Sequence, residues 1–413
     1  MAAVYLSRVP VLNRENKLVA YDLRLRAADG GQAANEDIRP GDDLLAKALD
    51  RSEFHRISGP FPLFMPVTAD FLLSDAARQL APGEVVPTLD AEELGRGGVR
   101  EALSAWRNRG GRVAVDLEDP QDGPRMASSE IDYVRVNVAR FENLNALSDW
   151  LAPLRQVTSR PMALGVHNSG VHNICTSYDF VMYEGPFLTE AVTTTRDPLP
   201  EEAGPLMKVV RALFSNADFD EVANALVAAP TARQRLLTYV NSPAFELTRE
   251  VESPRQAMVL MGLLSVQRWM LLLLFTGSGS GDLRQPFVEE GLLRARLMGL
   301  MAPELGLNED QAAKAFNLGL LSVLHPMWGR PGRQVARELG LDQEQSRAFL
   351  YRSGPLGALL DSVRALRGHR GIGGSPTPDK RRLPPARVAA IEEQAALAIE
   401  DLDEAPSSAE PAQ

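Results

Sequence analysis

The sequence predicts an α/β domain with a closed parallel sheet, followed by an all-helical domain. Three observations carry this. Over residues 1–190 short β-like runs alternate with helical patterns, and strand and helix in turn imply a parallel sheet. About eight such runs in this length favour a barrel over an open sheet. From Pro198 onward the strand runs cease, and apolar residues recur at helical spacing. The length of 413 residues calls for two domains on its own, since it exceeds one ordinary core.

In order, the expected strands are 4–10, 18–26, 62–67, 85–89, 112–116, 133–137, 161–165 and 180–183. Between them, 42–51, 69–80, 91–109 and 143–155 read as helices. The second half reads as helices over 203–214, 223–240, 254–275, 287–305, 309–324, 332–339, 342–350 and 355–366 by apolar spacing. A Gly/Pro/Ser breaker covers 371–378, one more helix is expected over 385–403, and the small, polar 404–413 reads as disordered. No internal repeat recurs at a fixed period.

Composition bounds the function classes. Apolar residues make up 45% and charged residues 24%, the proportions of a soluble globular protein. A formal net charge of −10 argues against general nucleic-acid binding, although arginine is plentiful enough for a local basic patch. Cys175 is the one cysteine, so no intrachain disulfide forms and a reducing cytosol fits. It reads as a small buried apolar residue rather than a catalytic thiol. Residues 1–10 lack the basic head and long apolar run of a signal peptide. The one membrane candidate, 257–275, is broken by Gln267 and Arg268, and arginine at a bilayer centre costs roughly 2.5–3.5 kcal/mol. A buried helix of a soluble domain is expected there, with part of its Met258, Met261, Trp269 and Met270 face open to a partner as the other reading.

Tyr239-Val240-Asn241-Ser242-Pro243-Ala244-Phe245 lies between two apolar helical patterns. Asn, Ser and Pro end the first, because proline cannot continue a helix and short polar side chains compete for backbone hydrogen bonds. Ser253-Pro254 starts the next, Ser as cap and Pro at the first helical position. Leu236, Asn241, Ser242, Phe245, Ser253, Ala257, Leu260 and Gly262 follow a pattern that resembles the HDOD family, with Met261 inserted before Gly262. HDOD domains resemble HD-type metal phosphohydrolases that have lost their metal ligands. The resemblance implies that Ser322 and Val323 stand where a metal-binding His-Asp pair would be, and that Leu292-Leu293-Arg294-Ala295-Arg296 lacks the upstream histidine. No metal is expected in this half.

Arg8-Val9-Pro10-Val11-Leu12-Asn13 followed by Ala20-Tyr21-Asp22-Leu23-Arg24-Leu25-Arg26 makes residues 1–190 similar to an EAL domain, a barrel that in its active members hydrolyses cyclic di-GMP with two divalent cations. Such a centre needs a cage of hard oxygen ligands. The resemblance places the cage on this chain position by position. Asp22, in Ala20-Tyr21-Asp22-Leu23-Arg24-Leu25-Arg26, stands for the glutamate of the name motif. Pro66 replaces a ligand asparagine, and Pro87, before Thr88-Leu89-Asp90, replaces a carboxylate. Asp116 is retained while Leu117 replaces its acidic neighbour. Arg135, in Arg135-Val136-Asn137, replaces the catalytic lysine, Leu164 and His167 replace two carboxylates, and Glu184 replaces a glutamine. Two vestigial metal positions, Asp22 and Asp116, fall short of a two-metal cage, with Glu118, Asp119 and Glu184 off the family's positions. The nucleotide-binding remnants expected from the resemblance are Leu23, Arg26, Asp116 and Arg135, with Glu184 adding repulsion toward phosphate. For Arg26 the other reading is an ion pair on the surface or between domains.

The histidines carry no metal pattern. His167 and His172 are five apart with Gly170 between them and no third ligand, and His325 sits beside Pro326-Met327-Trp328 as a packed or capping residue. The sequence thus leads to a degenerate EAL-type (β/α) barrel over 1–195, an HDOD domain over 196–370, and a linker, helix and tail over 371–413. It is expected to be a non-catalytic, cytoplasmic bacterial signalling scaffold that binds other signalling proteins, in a pathway related to cyclic di-GMP. A receptor that binds cyclic di-GMP without hydrolysis and a residual phosphodiesterase are the alternatives. No cofactor, nucleic acid or membrane insertion is expected. The resemblance allows a homodimer, whose surface no motif locates.

Overall fold

A computed structural model of the chain describes residues 4–27, 59–119, 131–141, 147–151, 160–189, 203–215, 217–247, 249–276, 286–328 and 330–366, with parts of 383–395. The chain falls into two compact units, Met1–Glu190 with Ala365–Leu397, and Ala191–Arg364 with Ala398–Gln413.

The first unit is built on a closed barrel of eight strands in sequence order. These are β1 (Val4–Asn13), β2 (Leu18–Ala27), β3 (Leu63–Pro66), β4 (Val85–Asp90), β5 (Ala114–Asp116), β6 (Tyr133–Asn137), β7 (Arg160–Leu164) and β8 (Met182–Glu184). All eight coincide with expected strands. β1 runs antiparallel to both of its neighbours, β2 and β8, and the remaining pairs are parallel. The hairpin between β1 and β2 follows from Asn13, whose side-chain oxygen accepts the N–H groups of Glu15 at 3.0 Å and Lys17 at 2.9 Å. Asn16 supplies the left-handed residue of this turn, φ 57°, a region asparagine tolerates.

Alternation along the strands divides the barrel into two cores. Val11, Ala20, Phe64, Val86, Ala114, Tyr133 and Met162 pack together inside it. Tyr21, Leu63, Met65, Val115, Val134, Val136 and Tyr183 point outward, against helices and loops. The helices are α1 (Ala69–Leu73), α2 (Asp75–Gln79), α3 (Val99–Asn108), α4 (Leu147–Leu151) and α5 (Ser169–Ser177). The single helix expected over 69–80 is split at Ser74, whose hydroxyl donates to the Phe71 carbonyl and caps α2 through the Ala77 N–H. Residues 91–109 begin as a 3-10 turn, Ala91–Gly95, and become α-helical only at Val99. The helix expected over 42–51 lies outside the described residues.

The second unit is helical throughout its described residues: α6 (Ala203–Phe214), α7 (Phe219–Val227), α8 (Pro230–Val240), α9 (Pro254–Met261), α10 (Leu263–Thr276), α11 (Pro286–Glu304), α12 (Glu309–Met327), α13 (Gly332–Leu339), α14 (Gln343–Tyr351) and α15 (Gly354–Leu366). Two expected helices are broken. The one over 223–240 divides before Pro230, which opens α8, while α7 starts earlier under an Asp218 cap. The one over 254–275 divides at Gly262, where φ of 78° lets the chain turn by 113° between α9 and α10. Among the described residues no single helix is long and apolar enough to span a membrane. Of the helix expected over 385–403, short helical pieces between 387 and 395 are described; Ile391 and Ala395 there are buried, and the segment counts with the first unit.

α11 and α12 approach each other at Gly319, where an added Cβ would lie 2.5 Å from the Ala295 Cα and N atoms. Backbone leaves no room for a methyl group there. Gly319→Ala is expected to lower stability by about 1–3 kcal/mol. Gly299→Ala, whose Cβ meets only the Phe316 side chain at 3.5 Å, is expected to be neutral or stabilising. Denaturant unfolding of the two variants checks the contrast.

Candidate functional site

β2 places Ala20, Asp22 and Arg24 on the same side of the strand, toward the barrel interior. By the same alternation β4 turns Thr88 inward and Pro87 outward, β5 turns in Asp116, β6 Arg135 and β8 Glu184. The polar inward side chains gather toward one end of the barrel, above the apolar inner core.

Arg135 is the centre of this group and only 7% exposed. Its Nη1 donates to Asp22 Oδ1 at 2.6 Å and reaches Thr88 Oγ1 at 3.4 Å. Its Nε approaches Asp116 Oδ1 to 2.7 Å, an ion pair rather than an aligned hydrogen bond. The Phe64 ring lies 5.9 Å from the guanidinium carbon. A second pair sits beside the first: Arg24 Nη2 donates to Glu184 Oε1 at 2.6 Å, and the Gly165 N–H donates to Glu184 Oε2 at 2.9 Å. The repulsion expected from Glu184 is thus answered within the site.

Three carboxylates face two guanidiniums, leaving one excess negative charge among these five groups. Asp22, 4% exposed, is pushed up to about 6, chiefly by burial and against the pull of Arg135, with Glu184 adding to the rise. Burial alone would lower the Arg135 guanidinium, but Asp116 and Asp22 outweigh it and hold it above the ordinary arginine value.

The other expected positions are placed as follows. Leu23 faces the outer core, 2% exposed, and not the barrel interior. Arg26 pairs with Tyr5 in the β1–β2 ladder, and its side chain lies outside the described residues. Pro66 and Leu164 share the inward side with Phe64 and Met162. Asn137 accepts the Ala139 N–H and caps a turn. His172 stacks on Phe187 at 4.4 Å, and burial lowers its pKa. The buried Cys175 thiol is pushed up to about 12 by its apolar surroundings, so it stays protonated and unreactive. Among the described residues no three His, Cys, Asp or Glu side chains are grouped to hold a metal ion. Sequence reading missed Arg24 and Thr88, although a period of two finds Arg24 from Asp22 on β2 and Thr88 from Val86 on β4.

The helical unit has a similar feature. Arg294, fully buried, donates from Nε to Glu290 Oε1 at 2.8 Å and from Nη1 to Ser322 Oγ at 3.1 Å, and Ser322 donates to the Gly319 carbonyl at 2.7 Å. His325 packs against Phe349, and burial, helped by Arg352 and Arg294, lowers it to about 4, so the ring is neutral at neutral pH. Asn241 holds the motif segment: its amide donates to the Val251 carbonyl at 2.9 Å and accepts the Val251 N–H at 2.8 Å. Ser242 opens the 3-10 turn Pro243–Phe245, and Phe245 packs edge-on to Tyr239.

A closed eight-stranded barrel followed by a helical domain defines the class. The HDOD domain model matches residues 198–325, and the chain carries an HDOD domain there. Barrel and HDOD domain are the parts of an EAL–HDOD protein, in the order expected from the sequence. The chain is similar to the uncharacterized protein YuxH of Bacillus subtilis (strain 168), 21% identical over 382 residues, which cover 88% of this chain and 90% of that protein. Among solved structures it is similar to the EAL domain of Mycobacterium smegmatis DcpA, with 16% identity, 44% of this chain and 90% of that chain covered, and a TM-score of 0.35. It is also similar to the Bacillus subtilis YkuI protein, with an EAL domain, in complex with c-di-GMP and calcium, with 13% identity, 64% and 72% covered, and a TM-score of 0.36.

Three outcomes are expected. Arg135→Met strands Asp22 and Asp116 without their cation and is expected to cost roughly 3–5 kcal/mol in denaturant unfolding. Asp22→Asn mimics the protonated acid. From the ordinary 3.8 to about 6 the folded chain holds a proton that the unfolded chain has released, so this carboxyl's contribution is greatest at the acid end and is lost as pH rises through about 6. The Asn variant is therefore expected to gain on the wild type between about pH 4 and about pH 7 in paired thermal melts. Asn241→Ala leaves both Val251 backbone groups unpaired and is expected to lower stability by about 1–3 kcal/mol in denaturant unfolding.

Proposed function

We propose that this chain is a non-catalytic signalling scaffold, in which a degenerate EAL-type barrel (1–195) and an HDOD domain (196–370) bind other regulatory proteins. The observation that carries the reading is the position of Arg135, whose guanidinium takes up both Asp22 and Asp116. A divalent cation attacking a phosphodiester through activated water needs those oxygens open. Here a cation of the protein's own already holds them, and displacing it would strand a buried charge. In the helical domain Arg294, Glu290 and Ser322 likewise satisfy one another. Catalysis follows the site and not the fold.

The cyclic di-GMP connection comes from the EAL resemblance and from the c-di-GMP complexes named among similar solved structures. A cytoplasmic bacterial setting follows from the same resemblance. Binding without hydrolysis finds less support, since Leu23 packs in the outer core and Arg135 is committed to carboxylates.

Calorimetric titration with cyclic di-GMP in Mg²⁺ buffer, with product analysis of the same sample, tests the proposal. The expected result is no linear dinucleotide and no heat of binding. Binding without product would replace the scaffold by a receptor, and product would restore an enzyme.

A further inference from the structure

Two described arginines of the helical unit stand out by what surrounds them. Arg268 of α10 lies with its guanidinium carbon 4.6 Å from the Phe316 ring centroid, and Arg296 of α11 lies 6.0 Å from the same ring. Neither makes an ion pair with a described residue, and the Nε of each is buried without a hydrogen bond. Nearby cations behave otherwise: Arg255 pairs with Asp220, Arg294 with Glu290, Arg330 with Glu338, and Lys314 with Asp310 and Asp342. The chain has a net charge of −10, yet no described carboxylate pairs with either arginine. Burial lowers the Arg268 pKa, and the like charge of Arg296 lowers it further. Two half-buried like charges on one ring are a cost that an outside anion would relieve.

The neighbouring surface is apolar. Leu264, one turn before Arg268 on α10, is 42% exposed, and Leu260, just before the bend at Gly262, is 48% exposed. Tyr239, stacked on Trp269, is 41% exposed. Unpaired guanidiniums beside exposed leucines complement a helix with acidic residues next to an apolar stripe.

We propose that Arg268 and Arg296, with Leu260 and Leu264 beside them, form the docking surface for an acidic amphipathic segment of a partner protein. The inference rests on the scaffold reading and names the chemistry of its partner. Carboxylates of the segment pair with the two guanidiniums, and its apolar stripe covers the leucines.

The probe is a fluorescein-labelled amphipathic peptide of Leu and Glu at helical spacing, with a counterpart carrying Gln for Glu, titrated by anisotropy against the full chain. The Glu peptide is expected to bind at least about ten-fold tighter than the Gln peptide, and salt is expected to erode the difference. Arg268→Gln with Arg296→Gln is expected to abolish it. Absence of binding to the wild type, equal binding of the two peptides, or undiminished discrimination by the double variant would overturn the proposal. Arg268→Gln removes a repulsion, so its thermal midpoint is expected to hold. If it falls, the single Arg296→Gln variant, farther from the ring, decides by the same discrimination. Hydrolysis of cyclic di-GMP by the same preparation would sink the scaffold reading through the barrel alone, whatever the peptide result.

Discussion

A buried guanidinium held between two carboxylates is expensive to assemble and more expensive to break. Asp116 and Arg135 are register partners on the neighbouring strands β5 and β6, and barrel closure brings Asp22 to them across the interior from β2. Once they meet, Arg135 is committed, because removing it leaves two carboxylates without their cation. The rest of the site is arranged around that commitment. Thr88 offers a further oxygen, Glu184 is drawn off to Arg24 and the Gly165 amide, and burial, with the neighbouring carboxylates adding to it, raises the Asp22 pKa.

The helical domain solves the same problem in the same way. Where the HD resemblance implies a metal-binding pair, Ser322 accepts from the buried Arg294, whose other bond goes to Glu290 one turn earlier on its own helix. In both units a fixed side-chain cation serves where a related fold would use an exchangeable one. A tethered guanidinium brings planar, directional hydrogen bonds, but it supplies neither an open coordination position nor an activated water. Arg268 and Arg296 differ from that arrangement, since they share the Phe316 ring and neither pairs with a described carboxylate.

The eight strands were legible because each is a short apolar or alternating run with a clear end, and local pattern suffices for that. Helix ends marked by strong local chemistry were legible as well: Ser253 caps α9 together with Gln256, and Asn241 closes α8. The breaks at Ser74, Pro230 and Gly262 were less so. An apolar period continues smoothly across each, and the change of direction depends on what the following segment packs against.

The sequence by itself determined which residues were available for chemistry, since a proline at 66 or a leucine at 164 cannot bind a cation in any fold. It also determined the order of the two domains and the strands of the barrel. Only the tertiary structure decided what the surviving polar residues do. Leu23 and Asp22 are neighbours in the chain, but the strand turns one into the outer core and the other into the barrel. Glu184 is a repulsive charge in the sequence and a partnered one in the fold. Side-chain identity is local, but burial and pairing are set by residues more than a hundred positions away, and electrostatic consequences follow from those distances.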